Sequence, residues 1–143
     1  MRFIFNDGGR AAAGYKGFAD DCVVRAIAIF TNKPYQEVYD AINVISKTER
    51  IGRRQKRSLS RNGVYKSTYS KYLKDLGAEW TATMKIGSGC QVHLREGELP
   101  SGRLLIRLSK HLTTVIDGVV YDTHDPSRNG TRCVYGYWRM MNG

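Results

Sequence analysis

Three stretches of the chain carry apolar residues three and four positions apart, a spacing that places them on one face of an α-helix. We expect helices over residues 22–30, from Pro34 to residue 45, and over residues 65–76, with Gly77 closing the last one. Tyrosines recur along the third helix, where we expect a packing face; a platform that stacks nucleic-acid bases is the alternative.

After Gly77 the pattern changes to short apolar runs separated by turn-forming residues, which is typical of β-strands. Asp117 and Gly118 form the kind of two-residue turn that joins a tight hairpin. Helices followed by strands of this kind predict an α+β fold with a mostly antiparallel sheet. We expect one domain over residues 1–143, which opens with an irregular arm over 1–19. The expected strands cover residues 78–83, 104–108, 112–116, 119–121 and 132–138.

The predicted hairpin determines which polar side chains share a face of the sheet. Side chains alternate between faces, so a two-residue loop at Asp117 and Gly118 makes Asp122 a diagonal neighbour of His111. Asp125 points to the opposite face, unless a bulge or the end of the strand turns it round. We therefore predict Asp122 as the partner of His111, with Asp125 as the second choice.

Cys22 opens the first predicted helix. Unpaired backbone N–H groups and the positive end of the helix dipole favour the thiolate form there, and a nearby imidazolium would favour it further. The charges of Asp20 and Asp21 oppose this effect, unless these side chains turn away to cap the helix. Thiol, imidazole and carboxylate are the groups that cysteine nucleophiles require, and Cys22 with His111 and an aspartate therefore predicts a catalytic site.

Charge is unevenly distributed along the chain. Its 23 Lys and Arg residues exceed its 13 Asp and Glu residues and give a net charge of +10. We predict a mobile basic loop over residues 47–62, in which Glu49 is the acidic residue. This loop either binds nucleic acid or an acidic protein through released counterions, or carries charge for solubility. The candidate polyanion-binding residues are Arg50, Arg53, Arg54, Lys56, Arg57 and Arg61.

The chain has three cysteines, no leader pattern, and no apolar run near the ~20 residues that a membrane span needs. We therefore predict free thiols in the cytoplasm and no membrane contact. Cys90 and His93 have a gap that suits zinc and could recruit His111, His124 or Cys133. The sequence contains no second pair of Cys or His residues with a gap that suits zinc. We therefore predict no metal and no cofactor.

The order Cys22, then His111 at the head of a hairpin strand, then an aspartate within fifteen residues resembles the papain-like cysteine peptidase superfamily. Residues 102–126 are most similar to small bacterial and phage members of the bacteriocin-processing type. The resemblance implies a papain-like fold, with N-terminal helices packed on a mostly antiparallel β-sheet. It also implies that Cys22 is the nucleophile, that His111 is general base and then acid, and that Asp122 or Asp125 orients the imidazole.

The activity implied by this resemblance is that of a thiol hydrolase or transferase acting on an amide, peptide or isopeptide bond of a peptide or protein substrate. The superfamily usually places a Gln about six residues before the Cys to complete the oxyanion hole, and Lys16 occupies that position here. The alternative is a non-catalytic, phage-encoded binding protein that docks on nucleic acid or an acidic host protein through the basic loop.

Overall fold

The computed structural model describes residues 1–17, 19–53 and 55–141. Its three helices and six-stranded, mostly antiparallel sheet confirm the α+β class. The elements are β1 (Arg2–Phe5), α1 (Cys22–Thr31), α2 (Tyr35–Lys47), α3 (Lys66–Asp75), β2 (Ala78–Ala82), β3 (Arg103–Leu108), β4 (His111–Ile116), β5 (Val119–Asp122) and β6 (Gly136–Met140). The sheet has the order β1-β5-β4-β3-β6-β2, in which β1 and β5 are parallel and all other neighbours antiparallel. Within the described ranges, no helix combines the length and the apolar character needed to cross a membrane.

Successive side chains of β3 alternate between two apolar clusters, one on each face of the strand. Leu105 belongs with Phe30 and Trp138 to the cluster beneath the helices. Leu104 and Ile106 belong to a smaller cluster that includes residues from β4, β5 and the loops. All five side chains are at most 2% exposed. Strand β3 is therefore buried on both faces, which explains why its apolar run is nearly continuous.

Helix α1 is fastened to the sheet by polar as well as apolar contacts. The Thr114 hydroxyl on β4 donates a 2.6 Å hydrogen bond to the carbonyl of Ala26. The Arg103 guanidinium on β3 donates one of the same length to the carbonyl of Ile29. Burial of most of the helix adds the hydrophobic contribution. The position of α1 relative to β3 and β4 is thus fixed at two points.

The irregular arm predicted over residues 1–19 is wrong at its start, because Arg2–Phe5 forms strand β1. This strand pairs in parallel with β5, with Phe5 opposite Asp122. Its partner lies more than a hundred residues away, so local pattern carries no trace of the pairing. After β1 the chain crosses α1 at Gly8, where φ is +70° and a Cβ atom would lie 2.7 Å from the carbonyl oxygen of Arg25. Only glycine fits such an approach without strain.

The strand predicted over residues 132–138 is displaced, since β6 begins at Gly136. Cys133 instead forms a bridge with His93. The N–H of Val134 donates to the carbonyl of Val92 over 2.8 Å. The predicted strand therefore pairs with two different parts of the chain. Cys133 and Val134 pair with the segment around His93, and β6 pairs with β2 and β3.

The mobile loop predicted over residues 47–62 is wrong in its second half. Ser58 and Ser60 are buried, at 2% and 0% exposure. The Ser60 hydroxyl donates to the carbonyl of Tyr39 over 2.6 Å, and the Ser58 hydroxyl lies 2.7 Å from that of Thr68. These bonds attach the segment to α2 and α3, so its charges are carried on an anchored backbone.

Candidate active site

The hairpin brings His111 and Asp122 together as predicted. Strand β4 begins at His111, β5 ends at Asp122, and the observed pairs Ile116 with Val119 and Thr114 with Tyr121 have the predicted register. The ring nitrogen Nε2 of His111 lies 2.7 Å from Oδ2 of Asp122. The prediction that Asp122 is the neighbour of His111 is therefore confirmed.

Asp122 is held as a carboxylate by three donors. Besides the His111 ring, the Thr113 hydroxyl donates to Oδ2 and the backbone N–H of Thr123 donates to Oδ1, each over 2.7 Å. Burial favours the neutral acid, but the hydrogen bond and charge of His111, together with the other donors, hold the pKa of Asp122 below its usual value. The carboxylate thus fixes the orientation of the imidazole and carries a negative charge beside it.

Cys22, the first residue of α1, lies beside the His111 ring. Burial works to lower the pKa of His111, but hydrogen bonds and negative charges from Asp122 and Cys22 outweigh it and raise the pKa to about 9. Because Asp122 occupies Nε2, Nδ1 is the nitrogen left for the thiol. At neutral pH the imidazolium therefore lies between a carboxylate and a sulfur.

Asp125, the second choice for this role, is engaged elsewhere. Its Oδ1 accepts a 2.9 Å hydrogen bond from the N–H of Ser127 in the turn that follows β5. His124 is exposed, and its ring centroid lies 5.2 Å from that of His111. His124 therefore packs against the outer side of the site and leaves the bond between His111 and Asp122 intact.

Asp21 precedes Cys22 but does not cap α1. Its carboxylate is buried and makes no hydrogen bond to the helix N–H groups. It lies 2.5 Å from Arg25 and 3.2 Å from Arg10, and it accepts a 2.6 Å hydrogen bond from the Tyr35 hydroxyl. Two guanidinium groups thus compensate the charge of Asp21, whereas Asp20, the other carboxylate expected to oppose a thiolate, lines the same cavity as Cys22.

Cys22 and His111 line a cavity of about 270 Å³ that opens between α1, α3 and β3. Tyr69 on α3 also lines it, and the Arg107 guanidinium on β3 is close enough to act on the phenol. Burial and the nearby Cys22 charge raise the pKa of Tyr69 to about 12 against the opposing effect of Arg107. The phenol therefore keeps its proton at neutral pH and can donate a hydrogen bond to a group inside the cavity.

The sequence interpretation did not find these neighbours. Tyr69 was assigned to a packing face, and it is indeed only 4% exposed. Lys66 and Arg107 line the cavity as well, although neither lies in the basic loop. Their proximity follows from the packing of α3 against the sheet, and helical or strand periodicity alone carries no signal for it.

The candidate polyanion-binding residues do not form one uniform surface. Arg57 is half-buried and donates to the carbonyl of Ser46, in the last turn of α2, and to that of Glu49, just after the helix. Arg61 donates to the carbonyl of Lys16 over 3.1 Å. The remaining members, Arg50, Arg53 and Lys56, are exposed, and Arg54 lies outside the described residues.

Two of the three cysteines are not free thiols, contrary to prediction. Cys90 and Cys133 form a disulfide across 43 residues, with Cα atoms 5.8 Å apart, and Cys22 is the free cysteine. Disulfides persist mainly in oxidising compartments, so the argument from free thiols for a cytoplasmic location no longer applies. The pairing of residues 92–94 with 132–134 brings the two cysteines together.

The zinc alternative at Cys90 and His93 is wrong as well. The sulfur of Cys90 is bonded to Cys133, and Nδ1 of His93 lies 3.2 Å from a carboxylate oxygen of Glu98. Across the described part of the chain, no three His, Cys, Asp or Glu side chains are grouped so that they could hold a metal ion.

Comparison of the chain with family models, with curated proteins and with solved structures gives no match. The geometry of the site is therefore the basis for assigning a function to the chain.

Proposed function

We propose that the chain is a thiol hydrolase or transferase with a papain-like core, which acts on an amide, peptide or isopeptide bond. The observation that carries the proposal is the chain of contacts from Cys22 through His111 to Asp122 at one cavity. A positioned base next to a thiol, itself oriented by a buried carboxylate, is the arrangement that activates a cysteine nucleophile.

In the proposed reaction the Cys22 sulfur attacks the substrate carbonyl carbon, and the C–S bond forms as electrons move onto the carbonyl oxygen. The His111 imidazolium donates its proton to the nitrogen, the C–N bond breaks, and the amine leaves a thioester on Cys22. Water then attacks the thioester carbon while neutral His111 takes its proton. The C–S bond breaks, the carboxylic acid leaves, and thiolate and imidazolium are restored. In a transfer reaction an amine takes the place of water.

Two kinds of donor are available for the oxyanion of this reaction. Backbone N–H groups in the first turn of α1 have no partner within the helix. The Tyr69 hydroxyl lines the same cavity and keeps its proton at neutral pH. We assign to Tyr69 the donor role for which the superfamily usually uses a Gln, since Lys16 stands at that position.

A proteome-derived peptide mixture tests the activity, with new termini detected by mass spectrometry. Replacing Cys22 by Ala should abolish cleavage, and replacing His111 by Ala should reduce it by about 10²-fold or more. Asp125→Asn is the matched control, because it removes an acidic group from the turn just after the hairpin, where Asp125 bonds to Ser127 and not to His111. Cleavage that persists in the purified Cys22→Ala variant contradicts the proposal.

A second candidate function is the docking of nucleic acid or an acidic protein on the basic loop. It is favoured by a cavity of about 350 Å³ lined by Arg50, Lys56 and Lys71. Replacing Arg50, Arg53 and Lys56 by Ala should weaken binding to a polyanion such as heparin and reduce its salt dependence. Cys22→Ala should bind as the wild type does. Salt-independent binding, or binding unchanged by the triple replacement, contradicts this function.

A further inference from the structure

Two cations at the candidate active site lack an acidic partner. Lys66, the first residue of α3, and Arg107 on β3 both line the cavity that contains Cys22 and His111. Among the residues that the structure describes, no carboxylate forms an ion pair with either of them. Asp20 also lines this cavity but forms no ion pair with either cation, and Lys110 adds a third positive charge to the lining. A cleft in which lysines and arginines outnumber carboxylates attracts anions.

Aromatic rings, rather than carboxylates, hold these two cations in place. The Lys66 ammonium lies 4.4 Å from the centroid of the Trp80 ring, and the Arg107 guanidinium lies 5.5 Å from that of Tyr135. A cation over an aromatic face is positioned but keeps its full charge. Burial and the charge of Arg107 lower the pKa of Lys66. An anion bound between Lys66 and Arg107 would reduce the repulsion between their two positive charges.

A second cavity, of about 360 Å³, begins at the same two cations and has apolar walls. Trp80, Met84 and Ile86 line it together with Tyr135. The side chain of Ile86 is fully exposed. Apolar side chains that are left in solvent around a cavity fit an apolar group of a ligand.

We propose that the substrate carries an acidic side chain next to the scissile bond, bound between Lys66 and Arg107, and an apolar side chain beyond it, in the cavity at Trp80, Met84 and Ile86. This inference rests on the proposed function, since it specifies the substrate of the same site. The two cations line the cavity that contains Cys22, and the apolar side chains line the adjoining cavity. An acidic side chain followed by an apolar one fits this order.

A pair of alkylating agents tests the acidic part without requiring turnover. Iodoacetate is anionic and iodoacetamide neutral, and both react with a thiol by the same displacement. The ratio of their rates at Cys22 should exceed the ratio at free cysteine. Lys66→Glu should lower this ratio by about tenfold at low salt, and Lys66→Gln should give an intermediate value.

Lys74→Glu is the matched control, since it reverses the charge of an exposed lysine on the same helix that lines neither cavity. It should change the ratio by less than about twofold. Glu is favourable in the first turn of a helix, so Lys66→Glu is expected to fold. A wild-type ratio equal to that of free cysteine, or one unaffected by Lys66→Glu, overturns the acidic subsite.

A positional peptide library then tests the order of the two groups. Wild type should prefer Asp or Glu beside the cleaved bond, and Lys66→Glu should shift that preference towards Lys or Arg. Cleavage without an acidic preference overturns this inference and leaves the proposed function standing. A high iodoacetate ratio without cleavage of any peptide supports the anion subsite and refutes the proposed function.

Discussion

Replacement of Asp122 by Asn isolates the electrostatic role of this carboxylate. The change keeps the size and shape of the side chain and removes the charge that lies 2.7 Å from Nε2 of His111. An opposite charge at this range shifts a pKa by about 1 to 3 units, so we expect the pKa of His111 to fall from about 9 to about 7. The ring would then be largely neutral at pH 8.

The same pKa predicts how stability depends on pH. Raising the pKa of His111 from 6.5 in the unfolded chain to about 9 in the folded one corresponds to about 3 kcal/mol of stability. Because protonation is favoured in the folded state, this contribution is fully present below pH 6.5 and is lost as the pH rises through about 9. The pH-dependent loss should be much smaller in Asp122→Asn.

The pKa can be followed through the ring signals of the three histidines in two-dimensional NMR spectra, assigned with His93→Gln, His111→Gln and His124→Gln. Urea unfolding at pH 6 and at pH 9.5 gives the stability, and His111→Gln provides the baseline for all other titrating groups. A wild-type pKa of His111 near 6.5, or a value unchanged by Asp122→Asn, would refute the reasoning.

Three further predictions concern the surroundings of the site. Asp21→Asn removes the buried negative charge that two half-buried guanidinium groups share and should cost about 3 kcal/mol in urea unfolding, because both cations lose their counterion; a cost below about 1 kcal/mol contradicts the assigned network. Gly136→Ala places a Cβ atom 2.4 Å from the Trp80 ring and should lower the melting temperature, whereas an unchanged value would exclude this close approach. Asp122→Asn should lose at least about tenfold more peptide turnover than Asp125→Asn, because Asp122 holds the His111 tautomer; equal losses would reassign that role.

The sequence pattern predicted those features that depend on interactions between residues close together in the chain. The apolar spacing of α1 predicted its start at Cys22, and the two-residue turn at Asp117 and Gly118 determined the register of the hairpin. That register in turn placed Asp122 beside His111. Side chains alternate strictly between the two faces of a sheet, so the type of turn determines the face on which each side chain of the two hairpin strands lies.

Interactions between distant segments were not predictable in this way. The buried network of Asp21 needs Arg10 from the arm and Tyr35 from α2, and no spacing relates those residues. An aspartate before an apolar helix is normally a cap. At this position ion pairing overrides that preference, since the side chains of Arg10, Arg25 and Tyr35 engage the carboxylate in place of the helix N–H groups. The contact of Tyr69 with Arg107 likewise depends on the packing of α3.

The anchors of α1 also bear on the order of events in folding. The hydrogen bond from Thr114 to Ala26 joins residues 88 positions apart, and that from Arg103 to Ile29 joins residues 74 apart. Such contacts form late and slow the folding reaction, because a long loop must close before any of them is gained. During synthesis on the ribosome, Cys22 emerges well before the strand that carries its histidine. The nascent thiol therefore lacks its proposed base until the hairpin is made, and the proposed catalytic pair is assembled only when α1 docks on the sheet.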